Sequence, residues 1–402
     1  MNKVYLVSAK RTAIGSFGGA FKSVPASALA AEAVTAALAA ANVDAAQVDE
    51  LLMGNVIAAG QGMGPGRQAA IAAGLPEITP AYTVNMICGS GMKVVMDGAA
   101  HIKAGDANVV VACGGENMSR YPYVVTSDIR FGTKMGNLEL SDTLIDDGLT
   151  DVFNKYHMGI TAENVAEKLE VSREEQDNFA LQSQQRALNA IESGKFVDEI
   201  VPLEVTVRRK TNVIATDEYP KVDVSSDGLT KMRAAFKREG TVTAGNASGL
   251  NDGGSAIILA SESAVEKYDL KPIAELVSYA QSGIDPAIMG LGPVPAIAKA
   301  LSLADLTLQD IELLELNEAF AAQALGVMKQ LCNDHQESLA ALTERTNVNG
   351  GAIALGHPLG ASGNRIIVTL LHEMKKRGNK LGLASLCIGG GMGTAVIVKS
   401  LD

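Results

Sequence analysis

Three short stretches of the chain combine a reactive side chain with glycine, and a fourth sets a polar pair at the end of an apolar run. Asn85-Met86-Ile87-Cys88-Gly89-Ser90-Gly91 sets a cysteine just ahead of a helical pattern. There the positive end of a helix dipole and unpaired N–H groups favour a thiolate, and glycine lets a substrate approach the backbone. Asn317-Glu318-Ala319-Phe320 follows the apolar run Ile311–Leu316. A polar pair at a strand's C-terminal end is where α/β folds place ligand contacts, although Asn317 equally suits an ordinary helix cap. The stretch Gly350–Gly363 holds five glycines in 14 residues and a single histidine, His357. Few side chains there could hide a structural histidine, and an imidazole can take a thiol proton near neutral pH. Finally, Cys387-Ile388-Gly389-Gly390-Gly391-Met392-Gly393 puts a second cysteine at a strand end. The N–H groups of its glycine run could form an oxyanion hole. Two thiols and an imidazole suit acyl chemistry, with one thiolate as nucleophile, the histidine as its base, and the second thiol moving a proton on carbon. Hydrolysis would need only one thiol. Cys113 and Cys332 read as buried hydrophobes. No Cys-x-x-Cys pair or zinc-like histidine spacing is present, so neither a metal site nor a disulfide is expected.

These residues must be positioned by alternating elements. Val4–Ser8, Leu51–Val56, Val109–Cys113, Ala256–Ala260, Ile273–Ser278, Ile311–Leu316, Leu383–Cys387 and Thr394–Val398 read as buried strands. Ser27–Ala41, Met92–Lys103, Arg173–Glu192, Val294–Leu301, Phe320–Leu331 and Asn364–Lys376 read as helices. Such alternation predicts parallel or mixed sheets covered by helices. A distant repeat sharpens this. Ser90-Gly91, a helix, a Gly105 turn and an apolar strand ending in Cys113 are echoed by Ser362-Gly363, a helix, a Gly378 turn and a strand ending in Cys387. Serine to cysteine spans 23 positions in one copy and 25 in the other. Two halves of like topology follow, with Cys113 the structural relic of the Cys387 position. The middle, about Glu116–Gly245, breaks the rhythm and carries the basic run Arg208-Arg209-Lys210. That patch could hold an anionic ligand, but a solvated face is the simpler reading.

Composition excludes other classes. The chain has 402 residues, a net charge of −11, 47% apolar residues, 4% aromatics and no tryptophan. That rules out disorder as the main state and argues against a nucleic-acid binder, which needs stacking platforms and a basic groove. No apolar run reaches the ~18–20 residues of a membrane helix. Met1–Ser8 reads as a strand rather than a signal peptide, and the end Lys399-Ser400-Leu401-Asp402 is not a peroxisomal address. Cytoplasm is the default expectation.

Taken together and in this order, the four motifs closely resemble those of the thiolase family, over nearly the whole chain. The resemblance implies two βαβαβαββ halves in a layered α/β/α/β/α core, with residues 1–117 and 246–271 as the N-terminal half, 118–245 as an inserted loop domain and 272–402 as the C-terminal half. It implies that Cys88 is acylated by a first acyl-CoA and that His357 activates it. His357 and a water held by Asn317 would stabilise the thioester enolate. Cys387 would move the α-proton of the second acetyl-CoA, and the N–H groups of Cys88 and Gly389 would form the oxyanion hole. His157-Met158-Gly159 is similar to an element of biosynthetic, short-chain members, where the histidine meets pantetheine and the methionine narrows the acyl pocket; core packing is the plain alternative for both. Thr243–Gly249 matches the family's pantetheine loop, with Ser248 as contact, and Phe236, Ala319 and Phe320 would line the same tunnel. Lys221 stands near where many members carry an arginine stacked on adenine. The implied reaction is reversible condensation of two acetyl-CoA to acetoacetyl-CoA plus CoA by a ping-pong route. Coenzyme A thioesters are then substrates, and no cofactor is implied. A degradative 3-ketoacyl-CoA thiolase, a decarboxylating ketoacyl synthase and a non-catalytic CoA-binding protein are the alternatives. The resemblance also implies a homotetramer, and an extra surface loop is expected at Cys332–Arg345.

Overall fold

The computed structural model describes residues 3–401. Met1, Asn2 and Asp402, which end the expected Met1–Ser8 strand and the Lys399–Asp402 stretch, lie outside the described residues. In chain order the elements that position the site are β1 (Val4–Thr12), α1 (Ala26–Ala41), β2 (Glu50–Gly54), β3 (Ala81–Val84), α2 (Ser90–Ala104), β4 (Val109–Asn117), α3 (Met158–Lys168), α4 (Arg173–Glu192), β5 (Asn251–Ser261), β6 (Ala274–Gly283), α5 (Pro293–Leu303), β7 (Leu313–Leu316), α6 (Ala321–His335), α7 (Leu359–Arg377), β8 (Leu381–Ile388) and β9 (Met392–Ser400).

The duplication inferred from two Ser-Gly/Cys segments extends through both sheets. In the first half the strand order is β3-β2-β4-β5-β1. Its β3/β2 and β2/β4 pairs are parallel, and its β4/β5 and β5/β1 pairs are antiparallel. In the second half the order is β7-β8-β9-β6, with β7/β8 parallel and the other pairs antiparallel. A parallel bridge from Leu314 to Thr346 stands where the first half has β3. A short pairing of Tyr5 with Glu275 and Leu6 with Ala274 joins the two edges. One tripeptide marks the repeat: Leu6-Val7-Ser8 and Leu276-Val277-Ser278 each carry a β-bulge. Each bulge turns its serine onto a covering helix, Ser8 Oγ donating to Ala37 O at 2.6 Å and Ser278 Oγ to Ala300 O at 2.8 Å.

Both faces of the sheets are covered, which explains why the strands read as continuous apolar runs. Val110 and Ala112 of β4 face a central core built from α2, α7 and strands of both halves. Val109, Val111 and Cys113 face α1 on the outside. In the second half Leu383, Ala395 and Ile397 pack outward with α5 and α6. The result is a five-layer α/β/α/β/α sandwich with α2 and α7 in the middle.

The glycines around Cys88 and His357 have a different use from the one expected. Ser90-Gly91 and Leu359–Gly363 are not loop; they are the first turns of α2 and α7. A Cβ on Gly91 would stand 2.8 Å from both Asn364 N and Gly360 O, and one on Gly363 would stand 2.5 Å from Met92 N. Gly54 and Gly114 likewise face Gly360 O, at 2.7 and 2.5 Å. Gly91 and Gly363 are glycine because two buried helices meet there backbone to backbone, and Gly54 and Gly114 because strands β2 and β4 pack as closely on the start of α7. The turns that end α2 and α7 agree with the sequence reading: Gly105 and Gly378 are left-handed C-caps at φ +87° and +71°.

The Cys332–Arg345 stretch is helical rather than a loop. It continues α6 to His335, then forms a short helix over Leu339–Glu344 capped by Ser338. A paired Arg345–Glu337 contact closes it. The basic run Arg208-Arg209-Lys210 lies on a hairpin turn and is exposed, as the simpler reading expects.

Candidate active site

The Cys88 loop is held by its own polar groups. Ile87 adopts φ +48°, unusual for a β-branched residue and a strain of about 1–3 kcal/mol. Asn85 Oδ1 accepts from Ile87 N at 3.0 Å, and Asn85 Nδ2 donates to Val56 O at 2.9 Å. Ser90 Oγ accepts from Met86 N at 2.8 Å and donates to Ile87 O at 2.7 Å. The turn presents Cys88 to a small cleft of about 50 Å³ that His357, Cys387, Gly389, Met158, Ser248, Ala319 and Phe320 also line. Residues scattered from position 88 to 389 thus converge on one cavity.

The cleft's electrostatics differ from the thiolate expected at a helix start. The N–H groups of Gly389 and Cys88 both point at the Cys88 sulfur and favour its charge, but burial outweighs them and the thiol is pushed up to about 11. Burial raises the Cys387 thiol too, with the neighbouring Cys88 adding to the shift. His357 is driven down to about 3, first by burial and then by the Arg365 charge. At neutral pH the three groups are therefore uncharged.

His357 is oriented by a group that sequence reading overlooked. Its Nδ1 lies 2.6 Å from Ser362 Oγ, which itself donates to Pro358 O at 2.9 Å. With the serine proton committed to the carbonyl, Oγ accepts from Nδ1–H, and Nε2 is left as the bare base. Nε2 is buried and has no partner among the described residues. The backbone N–H of His357 is fixed by Asn251 Oδ1 at 2.9 Å. The signal for Ser362 was its place in the Ser-Gly repeat: its counterpart Ser90 ties down the Cys88 loop in the same way.

The polar pair at the end of β7 divides its work. Asn317 lies beside His357, with Nδ2 at 3.5 Å from Nδ1 and a buried Oδ1 that has no partner among the described residues. Glu318 turns away and accepts from Ser183 Oγ at 2.6 Å, Asn347 Nδ2 at 2.8 Å and Ile353 N at 3.2 Å. It anchors the stretch that leads to His357. Buried Glu116 does the same for α7, accepting from Gly360 N and Val56 N, each at 2.9 Å. Burial without a basic partner raises its carboxyl to about 7. Neither carboxylate's role was legible in the sequence, because each depends on donors distant in the chain: backbone N–H groups for Glu116, and Ser183, Asn347 and Ile353 N for Glu318.

Of the remaining expected contacts, His157 caps α3, its Nδ1 accepting from Gly159 N at 3.0 Å. Its ring stacks on Phe236 at 4.5 Å, and Phe236 meets Phe320 edge-on at 6.2 Å. Ser248 is held by its N–H on Ala319 O at 2.9 Å. Lys221 does not line the cleft: its ammonium rests on the Tyr219 ring at 4.4 Å and its N–H donates to Gln184. Cys113 is buried under α1, on the outer face and away from the cleft. Leu149 and Gly148, from the middle segment, close the cleft and were missed.

The chain is similar to known proteins over nearly its whole length. The family described as "Thiolase, N-terminal domain" matches residues 4–263, and "Thiolase, C-terminal domain" matches residues 270–400. The chain is 54% identical to an acetyl-CoA acetyltransferase of Chromobacterium violaceum, covering 99% of each chain. It is 51% identical to an Escherichia coli protein of the same name, covering all of both. A crystal structure of the Bacillus anthracis acetyl-CoA acetyltransferase superposes with a TM-score of 0.95 at 44% identity, covering 100% of this chain and 99% of that one. Human mitochondrial 3-ketoacyl-CoA thiolase superposes at 0.94 with 45% identity and the same coverage.

Proposed function

Since the chain belongs to the thiolase family, we propose that it is an acyltransferase that condenses two acetyl-CoA into acetoacetyl-CoA and CoA, and runs the reverse thiolysis. The observation that carries this reading is the single cleft shared by Cys88, His357 and Cys387. Cys88 Sγ attacks the first acetyl-CoA while its proton passes to His357 Nε2; the new S–C bond forms and CoA leaves with a proton from Cys387. The N–H groups of Cys88 and Gly389 hold the oxyanion. For the second acetyl-CoA, the Cys387 thiolate takes the α-proton while the protonated His357 Nε2 and a water on Asn317 donate to the enolate oxygen. The enolate carbon attacks the acetyl-Cys88 carbonyl and the S–C bond breaks, Cys88 taking its proton back from His357 as acetoacetyl-CoA is freed. An uncharged resting site suits this sequence, because charge then appears only where donors already wait.

His157, Phe236 and Ser248 contact the pantetheine, and Lys221 lies toward the nucleotide end. Coenzyme A thioesters are substrates, and the route uses no cofactor. Met158 sets the acyl length. It and Ile87 stand between the cleft and an adjoining cavity of about 360 Å³ lined by Val152 and Phe153. A homotetramer is supported by Tyr123, Phe131, Met135 and Leu140, exposed on the segment between residues 123 and 142. Among the described residues no helix is long and apolar enough to cross a membrane, in line with action on water-soluble thioesters.

Mass spectrometry after acetyl-CoA exposure should place one acetyl group on Cys88; an acetyl group elsewhere, or none, refutes the mechanism. Thiolysis of acetoacetyl-CoA should outpace that of 3-ketodecanoyl-CoA. The opposite order would assign the chain to long-chain degradation instead.

A further inference from the structure

The catalytic cleft is far from the roomiest cavity. One of about 590 Å³ opens between β1, the C-terminal end of α1 and the C-terminal end of α7. That volume lies inside the range of about 300–1,000 Å³ typical of small-molecule sites. Val7, Ala9, Ile273 and Leu371 give it an apolar wall, and Lys10, Lys375 and Lys376 contribute three cations. Asp198 is the one acid among the described residues that line it. Lys10 Nζ donates to the Asp198 carbonyl at 2.6 Å, and Lys376 Nζ sits 3.3 Å from its carboxylate. Two lysines in the last turn of α7 suit the negative end of its dipole. Lys10 comes from β1, where no dipole calls for it, yet it reaches the same mouth. A locally positive, apolar-walled cavity also stands against a net charge of −11.

We propose that this cavity binds a small anionic amphiphile: an aliphatic chain along Val7, Ala9, Ile273 and Leu371, with a carboxylate or phosphate headgroup among Lys10, Lys375 and Lys376. The site is separate from the catalytic centre. His357 precedes α7 and the lysines end it, and a helix of that length spans about 25–28 Å.

The test is calorimetric titration of the full-length protein, saturated with CoA to fill the active site, with octanoate, octyl phosphate and octanol. One octanoate or octyl phosphate should bind per chain, with CoA present or absent, and octanol should bind at least tenfold more weakly. The tighter of the two anions identifies the headgroup. The K10Q/K376Q double variant should lose at least tenfold in affinity with unchanged thiolysis. Ala40→Trp, which fills the mouth, should do the same by a change that leaves both lysines in place. The proposal is overturned if none of the three ligands binds, if octanol binds as tightly as the anions, if CoA displaces them, or if both variants bind as wild type does. It is equally overturned if the variants change the subunit number by sedimentation, which would make the face an interface between copies.

Discussion

Replacing Gly91 with alanine tests whether helix contact sets the catalytic geometry. The added Cβ would meet only backbone: Asn364 N and Gly360 O at 2.8 Å, and Ala361 O at 3.2 Å. No flexible side chain can yield. Reaching the 3.4 Å of ordinary contact requires α2 and α7 to part by about 0.6 Å. Overpacking of this kind costs about 1–3 kcal/mol. Cys88 lies two residues before Ser90, the start of α2, and His357 two before Leu359, the start of α7, so the same separation pulls nucleophile from base. A 1 Å misplacement costs about 100-fold in rate; on that logarithmic scale 0.6 Å corresponds to about 10–20-fold in acylation. Stopped-flow release of CoA from the first acetyl-CoA measures this step directly, and thermal melting reports the packing cost. Gly283→Ala is the control, since its Cβ would approach nothing closer than Gly391 O at 4.0 Å. If Gly91→Ala acylated within twofold of wild type and melted at the same temperature, the helix contact would not be what aligns the site.

Ser362→Ala removes the acceptor for His357 Nδ1 and should cost about 1–2 kcal/mol, or 5- to 30-fold in kcat with KM little changed; Ser362→Thr should recover most of it, and an unaffected Ser362→Ala would show that the tautomer is set otherwise. Cys88→Ala should abolish the acyl-enzyme, whereas Cys387→Ala should still acylate slowly and lose condensation; normal condensation by Cys387→Ala would remove it from the mechanism. Met158→Ala joins the cleft to the adjoining cavity and should raise the rate on 3-ketohexanoyl-CoA relative to acetoacetyl-CoA, which comparison of kcat/KM will check. For pH, the Glu116 carboxyl is raised to about 7 from an ordinary 4.5, so the folded state holds its proton more tightly than the unfolded chain. Its stabilising contribution is complete below about pH 4.5 and is lost as pH rises through 7. Thermal midpoints of Glu116→Gln between pH 5 and 8 should therefore fall less steeply than those of wild type; parallel slopes would contradict the shift.

Much of this protein was legible in its sequence. Apolar runs buried on both faces and helices bounded by glycine caps depend on local pattern, so Arg173–Glu192 was placed to the residue and the Gly105 and Gly378 turns were correctly read. The reactive side chains were legible for the same reason: a cysteine or histidine among glycines stands out wherever it folds. What the chain could not announce was partnership. Glycines that looked like room for substrate turned out to be room for a second helix, because a Cβ clash exists only once Asn364 N lies opposite Gly91. The tautomer of His357 hangs on Ser362 donating to Pro358 O, and the anchoring by Glu116 and Glu318 hangs on N–H and O–H donors far away in sequence. The protonation states were decided last and only in three dimensions. A helix start favours a thiolate locally, but the desolvation that overrules it for Cys88 is a property of the whole packed layer, which no stretch of sequence carries alone.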